Sequence, residues 1–303
     1  MKEKKLLRVE NLSVSFGKFT ALKTISLSIS QNDGVIGLIG QNGAGKTTLI
    51  HSVLQLTKPI SGIIETYNTK IAYCPDTPEF PDDLSAKEVL YYSAWISELP
   101  KPSKDTVMNL LSVVGLNGYE NKVASSFSRG MKQRLGIAAS LILKPELLFL
   151  DEPTSALDPF GREEILDIIK GISKQTTVVI STHNLADVQK VADKLFVINR
   201  GNLLYSGSLI EFLGQEELSF IELFSAVEVQ RFIELLKQNN IEVFNPKEEH
   251  SDNRLYFSHS DFPKVLASID ENLAIYVKSC NNREFNLYEA FYRAVKSSEG
   301  DKL

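Results

Sequence analysis

Residues 40–47 read Gly40-Gln41-Asn42-Gly43-Ala44-Gly45-Lys46-Thr47. They fit G-x-x-x-x-G-K-[ST], a loop that cradles phosphate. Glycines let backbone N–H groups curl around an anion, and a helix that follows presents its positive end to the same charge. Lys46 then reaches the outer phosphates of a nucleoside triphosphate, and the Thr47 hydroxyl ligates Mg²⁺. Gly40, Asn42, Gly43, Ala44, Gly45, Lys46, Thr47 and Thr48 are the candidate phosphate contacts. The bland alternative is a Gly-rich turn before a helix. The context speaks against it: the apolar run Val35–Ile39 precedes the loop and a helical pattern, Thr48–Leu54, follows it, as a true match requires.

A second acidic element complements the loop. Leu147-Leu148-Phe149-Leu150 is a continuous apolar run ending in Asp151-Glu152. Such a run suits a buried parallel strand, and open α/β sheets bind ligands at the carboxyl ends of their strands. Asp151 is expected to hold Mg²⁺, and Glu152 to act as general base or to orient the attacking water. Alone, the pair would read as solvated carboxylates opening a turn at Pro153. Three further stretches narrow the chemistry. Phe127-Ser128-Arg129-Gly130-Met131 offers Ser128 as an N-cap and Gly130 as a point of close backbone approach. Pro153-Thr154-Ser155-Ala156-Leu157-Asp158 follows the acidic strand directly, and Val178–Thr182 is another apolar strand, ending in His183.

Taken together, these motifs resemble the nucleotide-binding subunit of ABC transporters over roughly residues 5–215. The resemblance makes Lys46-Thr47 the Walker A motif, Ser128-Arg129-Gly130-Met131 the signature, and Asp151-Glu152 the Walker B motif with its catalytic glutamate. It makes Ser155–Asp158 the D-loop and His183 the switch histidine. Phe16 becomes the aromatic that stacks on adenine, with a strand-core role as the alternative. The chain departs from the family pattern at four positions. Arg129 stands for the first signature glycine, Met131 for glutamine, Phe127 for leucine, and Asp76 occupies the Q-loop glutamine position. Asp76 keeps a carbonyl-type acceptor for Mg²⁺ or its water, but on a shorter, charged side chain. The resemblance implies ATP and Mg²⁺ as bound species, a separate membrane permease as partner, and a head-to-tail dimer with itself or a homologous subunit. It implies residence on the cytoplasmic face of the cell membrane. It also points to an exporter of peptides, antibiotics or similar amphiphiles. The alternative is a soluble ATPase of the same type acting on ribosomes or DNA.

Composition agrees. The chain has 303 residues, 43% hydrophobic and 23% charged, with formal net charge −5. That length suggests about two domains, and the acidic balance speaks against a general nucleic-acid binder. Two cysteines, Cys74 and Cys280, make a disulfide framework implausible. No run approaches the length of a membrane-spanning helix, and no apolar core follows the charged start at Met1–Lys5.

The elements that must position the motifs follow from periodicity. Leu7, Val9, Leu12, Val14 and Phe16 alternate with polar residues, as do Leu22, Ile25, Leu27 and Ile29, predicting half-buried antiparallel strands. Residues 85–116 switch to helical spacing, broken at Pro100 and Pro102. The resemblance makes them part of a helical subdomain over about 80–143 that touches the membrane partner, in which Tyr91, Tyr92 and Trp95 either form the docking surface or pack the subdomain's own core. Beyond 159, helix and strand alternate through Leu203–Tyr205, predicting a P-loop α/β fold with a mostly parallel sheet over residues 1–215. A polar linker at 214–218 opens an accessory domain over 216–303 with strand (219–224), helix (226–239), strands (241–244 and 254–258), helix (261–270), strand (273–278) and helix (286–297). This β-α-β-β-α-β order is ferredoxin-like. His250 and His259 read as solvated.

Overall fold

A computed structural model describes residues 4–155, 157–213, 218–244, 253–281 and 287–300. The chain divides into two units, one comprising Met1–Leu209 together with Ser298–Leu303 and one spanning Ile210–Ser297. Ala156, residues 214–217 of the linker expected at 214–218 and His250 lie outside the described residues, while Leu218 opens a strand.

In the first unit, β1 (Lys5–Phe16) and β2 (Phe19–Ser30) form an antiparallel hairpin whose buried residues alternate with exposed ones. β3 (Val35–Ile39) is buried at every position, the mark of a strand covered on both faces. The loop after it leads into α1 (Lys46–Val53). β4 (Ser61–Glu65) returns to pair with β1, closing a three-stranded sheet of order β2-β1-β4. β5 (Ile71–Cys74) precedes the helices α2 (Ala86–Ile96), α3 (Lys104–Val113) and α4 (Arg129–Leu141). Ser85 and Glu88 form a capping box at the start of α2, and Ser103 caps α3, satisfying donors that a helix start leaves orphaned. Trp95 is 71% exposed and Tyr92 is exposed beside it, so neither fills the subdomain core; Val89, Leu90, Val107 and Leu111 do.

The chain then re-enters the main sheet through β6 (Leu147–Asp151), α5 (Pro159–Ile172), β7 (Thr177–Thr182), α6 (Leu185–Val191), β8 (Lys194–Asn199) and β9 (Asn202–Ser208). The six-stranded order is β5-β6-β7-β3-β8-β9, parallel except for β9. β3 and β6 therefore flank β7 and end side by side with it. One apolar core joins both sheets to α1, with Leu12, Ile25, Ile36, Leu49, Ile50, Phe149 and Phe196 among its buried members.

α7 (Leu209–Leu213) leads out of this unit. The second unit holds β10 (Leu218–Leu223), α8 (Val229–Gln238), β11 (Val243–Phe244), β12 (Arg254–Ser258), α9 (Phe262–Ser268), α10 (Glu271–Ala274), β13 (Val277–Asn281) and α11 (Leu287–Gly300) as far as Ser297. Its sheet runs β11-β12-β10-β13 with every neighbouring pair antiparallel. Ile221, Leu255 and Phe257 from the strands and Phe232, Leu236 and Val265 from the helices form a separate core. The strand expected at 273–278 is a correction: α10 occupies its start, and β13 begins only at Val277. The Asp270 side chain accepts from the backbone N–H of Leu273 at 2.9 Å, and this cap nucleates a helical turn where the apolar alternation suggested a strand.

Candidate functional site

The phosphate loop is shaped by what its glycines touch. Gly45 sits at φ +113°, and a Cβ there would lie 2.7 Å from Leu22 Cδ2, so both the conformation and the packing demand glycine. A Cβ on Gly40 would lie 2.2 Å from the Ile198 carbonyl oxygen. Gly45 is also the N-cap of α1 and supplies no side-chain cap, and the first turn carries no acidic residue. The N–H groups at the start of α1 thus face outward without a side-chain acceptor, as anion binding requires. Lys46 lies 6% exposed. Its Nζ donates to the Gly40 carbonyl at 2.8 Å and to that of Gln41 at 3.4 Å, and it stands 3.5 Å from Glu152 Oε1.

Strand order brings the acidic residues to this loop. β6 is one strand removed from β3, and Thr47 Oγ1 donates to Asp151 Oδ2 at 3.0 Å. Ser181, at the end of β7, donates to Asp151 Oδ1 and accepts from the Glu152 backbone N–H at 3.1 Å. Glu152 sits in the left-handed region at φ +46°, which costs a non-glycine residue about 1–2 kcal/mol. That turn aims its carboxylate at His183, whose Nδ1 lies 3.0 Å from Oε2 and 3.1 Å from Oε1. Lys46, Thr47, Asp151, Glu152 and His183 thus converge at the carboxyl end of the sheet. Among the described residues no group of three or more His, Cys, Asp or Glu stands ready for a metal. One carboxylate and one hydroxyl fit the way Mg²⁺ binds with nucleotide phosphates, keeping waters and needing few protein ligands.

The other expected site residues fall elsewhere. Ser128 caps α4 by accepting from the Met131 backbone N–H at 3.3 Å, Arg129 donates to Ser155 Oγ at 3.3 Å, and Leu157 packs 3.5 Å from where a Cβ on Gly130 would lie. This start of α4 forms a second cluster with Ser155 and Leu157. Asp158 caps α5, accepting from the Gly161 N–H at 2.7 Å. Phe16 is 55% exposed at the tip of the β1–β2 hairpin opposite Phe19, which rules out the strand-core reading. Asn42 and Asp76 are exposed, and the Thr48 carbonyl accepts from Ser52 Oγ at 2.8 Å.

A family model described as ABC transporter matches residues 22–155. The bacitracin transport ATP-binding protein BcrA of Bacillus licheniformis is 34% identical over 269 residues, covering 84% of this chain and 83% of its own length. The chain belongs to the ABC transporter family. The lantibiotic transport ATP-binding protein SrtF of Streptococcus pyogenes is 36% identical over 229 residues, covering 73% of this chain and 96% of its own. A solved ATP-binding subunit of an ABC transporter superposes with a TM-score of 0.61 at 28% identity, over 69% of this chain and 92% of that one. The chain is accordingly an ATP-binding, ATP-hydrolysing subunit with a P-loop core. No described helix is long and apolar enough to cross a membrane.

Sequence reasoning passed over several residues that shape the site. Tyr73 on β5 places its hydroxyl 3.4 Å from Asp151 Oδ2 and 3.5 Å from His51 Nε2. Burial, and then the neighbouring Asp151 charge, push the Tyr73 phenol well above its ordinary range, so it carries its proton as a donor. Gln133, buried on α4, donates to the Pro75 carbonyl at 3.4 Å and reaches Cys74 Sγ at 3.7 Å. No spacing in the sequence announces Tyr73, Gln133 or Ser181 as partners; only the pairing of β5 with β6 brings Tyr73 to Asp151.

Proposed function

We propose that the chain powers a separate membrane permease that exports a peptide antibiotic or similar amphiphile, working from the cytoplasmic face of the membrane. The observation that carries the catalytic half is the convergence of Lys46, Thr47, Asp151, Glu152 and His183 on the bare N-terminus of α1. Support for the cargo class is the likeness to a bacitracin transport protein over most of the chain.

In this reading the α1 N–H groups and Lys46 bind the ATP phosphates, with Gly40, Asn42, Gly43, Ala44 and Thr48 shaping the cradle. Phe16, exposed at the hairpin tip, stacks on the adenine. Thr47 and Asp151 would hold Mg²⁺, which would supply positive charge beside the phosphates. Glu152 accepts the proton of the attacking water, and His183, 3.0 Å from its carboxylate, orients that carboxylate and faces the phosphate. Asp76 takes the Q-loop position near the metal. Ser128, Arg129 and Gly130 serve the nucleotide of a second copy, or of a homologous subunit, in a head-to-tail dimer. Asp158, next to them, lines the same seam. The exposed Tyr92 and Trp95 fit a docking surface for the permease, being large aromatics free of the core. The second unit is read as a ferredoxin-like accessory domain, on the strength of its strand order.

The test is co-expression with candidate multi-span membrane proteins from the same source. The expected result is a complex whose ATP hydrolysis rises with bacitracin-type peptides. A chain that never co-purifies with a membrane protein, or a complex indifferent to every amphiphilic peptide tried, overturns the transport or the cargo reading respectively.

A further inference from the structure

Thr47 and His51 lie four residues apart on α1, one turn above the other on the same helix face. Both meet groups on the neighbouring strands. Thr47 Oγ1 reaches Asp151 Oδ2 at 3.0 Å, and His51 meets Tyr73 edge to face at 5.9 Å between ring centroids, with Nε2 3.5 Å from the hydroxyl. Tyr73 in turn places that hydroxyl 3.4 Å from the same Asp151 oxygen. Ser181 occupies the other oxygen. Three donors from three elements therefore aim Asp151.

Resting on the reading of Asp151 as the Mg²⁺ ligand, we propose that Tyr73 is a positioning residue for the metal: its hydroxyl, steadied by His51, fixes the Asp151 carboxylate in the orientation that receives the ion. When Thr47 turns to the metal its hydrogen bond to Asp151 is given up, and Tyr73 remains as the donor on Oδ2. Free rotation of the carboxylate is then still prevented, because Ser181 holds one oxygen and Tyr73 the other. The backbone of Tyr73 is itself held, since its carbonyl accepts from Ser140 Oγ of α4 at 3.2 Å. The ring packs against the apolar core independently of its hydroxyl, and replacing it by phenylalanine removes the donor while keeping the packing.

The experiment titrates Mn²⁺, followed by electron paramagnetic resonance, into full-length ATP-loaded protein carrying Glu152→Gln to stop turnover. Tyr73→Phe is expected to weaken Mn²⁺ binding about three- to ten-fold, the range for losing one hydrogen bond. ATP binding in EDTA should stay within two-fold, and the melting temperature should stay close to that of the parent. Unchanged Mn²⁺ affinity overturns the proposal, as does an equal loss of metal-free ATP binding, which marks a merely structural role. Asp151→Asn serves as the control. If it leaves Mn²⁺ binding intact, the metal assignment itself fails and takes this proposal with it; if it abolishes binding while Tyr73→Phe does nothing, only the present inference falls.

Discussion

Replacing Glu152 by glutamine separates binding from chemistry at this site. The carboxylate stands 3.0 Å from His183 Nδ1 and 3.5 Å from Lys46 Nζ. Glutamine keeps the shape and can still pair with the imidazole, but it cannot take a proton from water. Loss of a positioned base lowers kcat on the order of 10²–10⁴-fold, a barrier increase of about 3–5 kcal/mol at ~1.4 kcal/mol per decade. The effect on binding has the opposite sign. A unit charge pair near this separation attracts by about 1 kcal/mol in water-like surroundings and about 4 kcal/mol at an effective dielectric constant near 20. Glu152 therefore competes with the ATP phosphates for Lys46, and neutralising it should hold ATP affinity or raise it, by about five-fold for the water-like figure and more for the lower dielectric constant. Single-turnover phosphate release and calorimetric titration with Mg·ATP measure the two quantities separately. Turnover within three-fold of the parent refutes the base assignment. Affinity lower by more than three-fold refutes the argument that Glu152 and ATP compete for Lys46.

Lys46→Ala should lose most ATP affinity, because one charge-assisted phosphate contact disappears; unchanged calorimetric binding would contradict the reading of residues 40–47. Ser128→Arg in the Glu152→Gln protein should bind ATP as a monomer yet fail to dimerise on a sizing column, since a bulky side chain at the N-cap of α4 fills the seam assigned to the second copy's phosphate. Burial pushes the Cys74 thiol up to about 12. Cys74 should therefore react with thiol reagents at pH 8 at least about 100-fold more slowly than an open thiol, and well after the half-buried Cys280. The folded state holds that proton more tightly than the unfolded one, so this group's contribution to stability is complete below pH 9 and is lost as pH rises toward 12. Melting temperatures across that interval, in the parent and in Cys74→Ala, check the sign. A chain shortened to end at Leu213 should remain folded and bind ATP, since the nucleotide motifs and their core lie in the first unit; insoluble protein or lost binding would show a shared core.

Local chemistry made much of this protein legible in its sequence. The phosphate loop needs glycines, a lysine and a hydroxyl in fixed order, so Gly40–Thr47 announced itself. The fully buried runs Val35–Ile39 and Leu147–Asp151 read as parallel strands because apolar continuity is what two covered faces demand. The order of those strands in the sheet was another matter. That β7 separates β3 from β6, and that Ser181 therefore meets Asp151 across 30 positions of sequence, depends on packing between distant segments. The left-handed turn at Glu152 is likewise imposed, because glutamate has no local preference for it. Asp158 matched a motif in the sequence, and the fold gave its carboxylate the duty of capping α5. Tyr73 lay unremarked in an ordinary strand until β5 was set beside β6. Residue types and spacing singled out the groups proposed to bind phosphate; sheet order and register decided which neighbours aim them, since those contacts join residues that no local pattern connects.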